Sequence, residues 1–227
     1  MTITLGIDTS AFVAVGVAVD GEALARVVVE DTRAHAEALM PAVLEACAAA
    51  GVALRDVDEF VVGMGPGPFT GLRVGIATAW TLAHAAGTTP HGVCSLDVVA
   101  RQWADEGATE EFLVAADARR KELYWRRYLA DGSPAGAPQV SAPEKLPDLA
   151  VVGRVPEQFA DQFRAFRHDG SLSLARRLKE RDLDPGVLAA TWRTLEPAGD
   201  EPYYLRAADA TVPGKPKSAL PRLRAVR

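Results

Sequence analysis

Cysteine is nearly missing from these 227 residues: only Cys47 and Cys94 occur, without CxxC spacing. That excludes a disulfide-stapled scaffold and a thiolate zinc site. Both lie among apolar neighbours, which reads as reduced, buried small hydrophobes. Histidine is scarce too, and His84, His91 and His168 show no ligand spacing. No apolar run approaches the ~20 residues that span a bilayer, so no membrane role is expected. The opening MTITLGIDTS has no basic stretch before an apolar one, so no secretory signal and a cytoplasmic location are expected. Low-complexity segments and short tandem repeats are absent as well.

What is present is a core-forming composition, 48% hydrophobic and 24% charged. It suits one large domain or two small ones. The net charge of −5 is uneven, because residues 1–60 carry ten acids against three bases. From Thr211 onward Lys215, Lys217, Arg222, Arg224 and Arg227 occur with no acid. An acidic front half argues against that half lying on nucleic acid, while the basic tail suits RNA, an acidic partner or plain solvation.

Residues 3–8, 12–19 and 23–29 read as strands, with Asp20-Gly21 a hairpin turn between the second and third. A helical pattern covers 35–50, where Leu39, Val43 and Cys47 recur at i, i+4 and Pro41 kinks the helix or sits in its first turn. A strand at 60–64, a helix at 70–86, a short strand at 92–94 and a helix at 95–103 follow. Three antiparallel strands and then helix–strand crossovers give an α/β fold with a mixed sheet flanked by helices. That is the ribonuclease-H-like unit, which actin-like folds use twice. Later, 111–117 and 123–128 read as a hairpin, 131–148 as loop, 149–152 as strand, and 156–166 and 173–180 as helical.

The densest signal is GPGPFTGLRVG at 65–75, with four glycines and two prolines between strand and helix. It reads as strand, tight loop and helix start, with Thr70 as the N-cap. Such a loop suits an anion or a closely packed backbone. No lysine follows as a Walker A loop requires, and Thr70 replaces the third glycine of GxGxxG. GxSxG is absent, and neither Ser10 nor Ser95 has a His–Asp neighbourhood.

These residues resemble the TsaB (YeaZ) family. The likeness rests on IDTS at Ile7–Ser10, on Arg33, His35, Glu37 and Pro41 of RxHAEALMP, and on GPGPFTGLRVGIATA from Gly65. It continues through Ser95-Leu96, ADAR at 116–119 with Glu122–Tyr124, and PYYLR at 202–206. The resemblance implies an actin-like ATPase (ASKHA) fold in two related lobes, 1–105 with dimerisation helices and a smaller, degenerate 106–206, before a basic tail at 207–227. It implies a non-catalytic scaffold in forming threonylcarbamoyladenosine (t6A) at tRNA adenosine 37. The expected partners are the catalytic paralogue TsaD and the ATPase TsaE, with a competing homodimer and tRNA contact through TsaD. No cofactor, metal or catalytic residue is expected. The paralogue's HxxxH pair is broken here, since Leu39 follows His35 at i+4.

The helix at 70–86 is apolar or small over most of its circumference, so it needs cover beyond its own sheet. With the resemblance, His35, Leu39, Met40, Val43, Leu44, Thr70, Arg73, Val74 and Ala77 become the expected partner interface, half of a four-helix bundle. Arg73, a cation in a first helical turn, calls for a partner acid. Asp8, Ser10, Gly65 and Gly67 are the expected weak nucleotide site. Asp8 suits either Mg²⁺ through water or the turn's own N–H groups. The rival readings are an active ATPase or kinase of this fold and a small-molecule-binding α/β protein.

Overall fold

A computed structural model describes residues 1–30, 35–163 and 182–206. Arg33, His168, the helix expected at 173–180 and the basic tail at 207–227 lie outside the described residues. The first sheet is β3-β2-β1-β4-β5, formed by β1 (Ile3–Asp8), β2 (Val13–Val19), β3 (Glu22–Val29), β4 (Glu59–Gly63) and β5 (His91–Val93). β1–β2 and β2–β3 pair antiparallel, whereas β1–β4 and β4–β5 pair parallel. Asp20 and Gly21, both at positive φ, turn the β2–β3 hairpin.

Alternation along the strands sorts their side chains. Ile3, Leu5, Ile7, Val13, Val15, Val17, Phe60 and Val62 form the core that α1 (His35–Ala49) and α2 (Phe69–Ala85) cover. The opposite face carries Gly6 and Gly16 against α4 (Pro185–Thr191). Asp184 caps α4 by accepting from the Gly186 and Val187 N–H groups, with Pro185 opening the helix.

The second sheet, β8-β7-β6-β9, comprises β6 (Phe112–Asp117), β7 (Leu123–Tyr128), β8 (Gln139–Ser141) and β9 (Ala150–Val152). α3 (Ser95–Asp105) packs on it through Leu96, Val99, Ala100 and Trp103 against Phe112, Val114, Tyr128 and Val152. Arg126 closes this lobe, donating to Asp97 at 2.9 Å and to Glu196 at 2.6 Å, while the Tyr128 hydroxyl donates to Asp97 at 2.6 Å.

Several expectations change. Around the expected 105/106 boundary, α3 packs on the second sheet through Leu96, Val99, Ala100 and Trp103 and on the first through Val98, and α4 returns to the first sheet. Thr70 is not the cap of α2, which opens at Phe69 behind Pro68 with no side-chain cap. The loop at 131–148 contains β8, and the helix expected from 156 is a 3-10 turn, Glu157–Gln162. Among the described residues no helix is long and apolar enough to cross a membrane.

Candidate functional site

The glycine segment does not form an open cradle, because the turn between β1 and β2 fills it. Thr9 is 1% exposed and sits on α2. Its hydroxyl donates to the Gly71 carbonyl at 2.8 Å and accepts from the Gly75 N–H at 3.2 Å. Gly71 and Gly75 are the i and i+4 partners of one helical rung, so Thr9 bridges both ends of it. A Cβ on Gly75 would stand 2.3 Å from Thr9 Oγ1, and one on Gly67 would stand 2.7 Å from the Ser10 carbonyl oxygen. Of the two readings of the loop, the close-packed backbone is the one realised. The Gly65–Pro66 peptide is cis.

Asp8 is likewise committed. It is 2% exposed, and its Oδ1 accepts from the Ser10 N–H at 2.8 Å and the Ser10 hydroxyl at 2.6 Å. Its Oδ2 accepts from the Ser95 hydroxyl at 2.5 Å. Ser95 Oγ in turn accepts from the Gly65 N–H at 3.2 Å, and the Ser95 N–H donates to the Gly65 carbonyl. Burial pushes the Asp8 carboxyl above the usual carboxylate range, against the opposing pull of the Ser10 and Ser95 hydrogen bonds. Asp8 therefore ties the first strand to the glycine loop and to α3. Among the described residues no cluster of three or more His, Cys, Asp and Glu side chains is placed to hold a metal ion.

A cleft of about 310 Å³ opens between the lobes. Ser10, Pro66 and Pro68 line it from one side and Asp117, Arg119 and Tyr124 from the other, but Asp8, Gly65 and Gly67 do not reach it. Arg154 lies across Phe12 at 4.5 Å and pairs with Asp182 at 2.8 Å. Of the four expected nucleotide residues only Ser10 faces this space, and its hydroxyl is engaged by Asp8.

The expected interface residues divide between two faces of the helix pair. Leu39 and Val43 are 1% and 0% exposed and point into the core, so they are not outward positions. Met40 at 36%, Leu44 at 55% and Trp80 at 43% are exposed on α1 and α2. Thr70, Arg73 and Ala77 are exposed as well, while His35 and Val74 are half-buried. Arg73 stacks on the Phe69 ring at 4.1 Å, and Phe69 meets Tyr204 at 4.9 Å. Among the described residues no ion pair is found for Arg73. Trp80 was missed from sequence, although it lies at i+3 from Ala77 and i+7 from Arg73 on α2.

A five-stranded mixed sheet, a second mixed sheet and a cleft between them define the actin-like ATPase (ASKHA) class of fold. The solved YeaZ from Pseudomonas aeruginosa matches with a TM-score of 0.67 at 28% identity, over 87% of this chain and 95% of that one. A family model described as TsaD: tRNA N6-adenosine threonylcarbamoyltransferase matches residues 23–181. An uncharacterized protein of Mycobacterium tuberculosis is 42% identical over 183 residues, 79% of each chain. The tRNA threonylcarbamoyladenosine biosynthesis protein TsaB of Escherichia coli is 39% identical over 100 residues, 44% of this chain and 43% of that one. The chain belongs to the TsaD family, in its TsaB (YeaZ) group.

Proposed function

We propose that this chain is a non-catalytic scaffold subunit of the machinery that forms t6A at tRNA adenosine 37. It docks on TsaD through the outer face of α1 and α2, accepts TsaE in a ternary complex, and uses the same face for a competing homodimer. The observation that carries this reading is the exposure of Met40, Leu44 and Trp80 together on that helix pair. Exposed large apolar side chains on two neighbouring helices offer a surface that a partner can cover. The filled glycine loop and the engaged carboxylate of Asp8 support the absence of chemistry. The relatives named for t6A biosynthesis support the pathway.

Reconstitution tests it, with TsaC, TsaD, TsaE, threonine, bicarbonate, ATP and tRNA. Modified nucleoside is expected only when this chain is present, and ATP hydrolysis by the chain alone is expected at background. Modification at the same rate without it overturns the proposal. A nucleotide site in the cleft is the second reading, favoured only by Ser10 on its wall; a thermal shift with ATP and Mg²⁺ that Ser10→Ala abolishes would support it.

A further inference from the structure

The exposed sides of α1 and α2 carry opposite charges in matching positions. On α1, Glu37, Met40, Leu44 and Ala48 recur at i, i+3, i+7 and i+11, and all four are exposed. On α2, Arg73, Ala77, Trp80 and His84 recur at i, i+4, i+7 and i+11, and all four are exposed too. Each stripe spans about 16 Å, at ~1.5 Å of rise per residue. α1 contains Glu37 and Glu45 but no Lys or Arg, whereas α2 contains Arg73 and no Asp or Glu. Among the described residues, none of Glu37, Glu45 and Arg73 takes part in an ion pair.

Topology sets the direction of both helices. β1, β4 and β5 are parallel, and β3, antiparallel to β2, runs with them. α1 crosses from β3 to β4 and α2 from β4 to β5, so both return against the strands and run the same way. Their N-terminal ends are neighbours, since a Cβ on Gly71 would stand 3.7 Å from His35 Nε2. Two copies joined across these helices have two ways to pair. With α1 on α1 and α2 on α2, Glu37 and Glu45 meet an acidic helix and Arg73 meets a helix without an acid. With the two-fold axis along the helices, α1 lies on α2 of the second copy and runs parallel to it. Glu37 then meets Arg73, Leu44 meets Trp80, and the long Met40 meets the small Ala77. The two-fold makes each contact twice. Like charges set against each other suppress association while unlike charges fix the register, so charge complementarity selects the crossed arrangement.

We propose that a second copy of this chain docks with its α2 on α1, closing two reciprocal Glu37–Arg73 pairs. This rests on the reading of the helix pair as a docking face, and it adds the direction and the charge contacts of the homodimer. Charge reversal in mixed chains tests it, read by sedimentation equilibrium of the full chain. Glu37→Arg and Arg73→Glu are each expected to self-associate at least about tenfold more weakly than wild type at about 50 mM salt, because both contacts become like-charged. An equal mixture of the two variants sets an acid against a base at both contacts, so the mixed dimer is expected within about threefold of the wild-type constant. The neutral Glu37→Gln and Arg73→Gln are expected to lose about threefold each and to regain nothing when mixed. Each variant is expected to keep the wild-type Tm within about 2 °C, as exposed substitutions do. A mixture of the reversed chains that associates no more tightly than either alone overturns the proposal; if Leu44→Glu still weakens the wild-type dimer, the docking face itself stands. Unchanged self-association of both reversed chains overturns it too, as does a loss confined to docking on TsaD, which would assign the two charges to the heterodimer. A wild-type chain that stays monomeric at about 1 mM overturns the proposal and the homodimer together.

Discussion

Replacing Leu44 by glutamate separates association from folding. Leu44 is 55% exposed, whereas its neighbour Val43 is fully covered. Complete burial of a leucine contributes about 1.5–3 kcal/mol, so covering its exposed half contributes about 1 kcal/mol per protomer. A two-fold homodimer presents the residue twice, and its loss alone weakens association by about 2 kcal/mol, or some 30-fold. Burying an uncompensated carboxylate adds about 3 kcal/mol or more, which carries the expected effect beyond a thousandfold in Kd. The monomer should scarcely notice, since exposed substitutions stay within about 0.5 kcal/mol. For a chain of this length that is a shift of about 1–2 °C in Tm. Leu39→Ala is the contrast. It empties a core position 1% exposed and should cost about 2–5 kcal/mol, or roughly 5–15 °C, in a dilute monomer. Sedimentation equilibrium and thermal unfolding read both. An unchanged dimer constant for Leu44→Glu refutes the surface assignment, and so does a loss of monomer stability as large as that of Leu39→Ala.

Thr9→Val keeps the shape and removes the hydroxyl that bridges Gly71 and Gly75, so urea unfolding should show a loss of about 1–3 kcal/mol; a change below 0.5 kcal/mol would place the helical rung beyond need of Thr9. Gly75→Ala drives a methyl into Thr9 and should cost about 1–3 kcal/mol, against the gain that alanine normally brings to a helix interior, so a stabilised variant contradicts the packing. Asp8 supplies a pH test. Its carboxyl is raised in the folded state, so the protonated form contributes stability that is fully present below the unfolded pKa near 4 and is lost as pH rises through the folded value. The stability of wild type relative to Asp8→Asn should therefore fall as pH rises above about 4, and a difference that stays flat with pH argues that burial does not raise Asp8.

The sequence was most legible where one local rule decided the outcome. β1 and β7 fall where alternation and turn residues put them, and Asp20-Gly21 turns the hairpin that its dipeptide predicts. Which side of α1 faces the sheet was not legible, because both sides are apolar: Leu39 and Val43 face inward while Met40 and Leu44, one residue further on, face outward. Periodicity finds a stripe but does not choose between two adjacent ones. The allegiance of α3 was hidden for a related reason. Its position in the chain follows β5, but its apolar residues match the second sheet, a long-range choice that no local pattern encodes. α4 has a readable start in Asp184-Pro185 and went unseen because seven residues carry too little periodicity. At the glycine loop the residue types admitted two occupants, and only the Thr9 hydroxyl, sixty-two residues away from Gly71, decides between them.

The filled glycine loop and the proposed docking face share one packing arrangement. The Thr9–Ser10 turn occupies the space over Gly67, Gly71 and Gly75 that a bound group would need, and in doing so it grips α2 along its first two turns. Asp8 and Ser95 then fasten that same turn and loop to α3 with buried hydrogen bonds, which in a water-poor site cost more to break than exposed ones. α2 is thereby fixed on its inner side by atoms that a reactive site would have to keep mobile or open. Its outer side carries Arg73, Ala77 and Trp80, and the proposed partner meets a helix whose position is already set. A surface held in place before binding gives up less conformational freedom on association. On the proposed reading, the turn that fills the glycine loop is also what makes the helix pair a rigid platform.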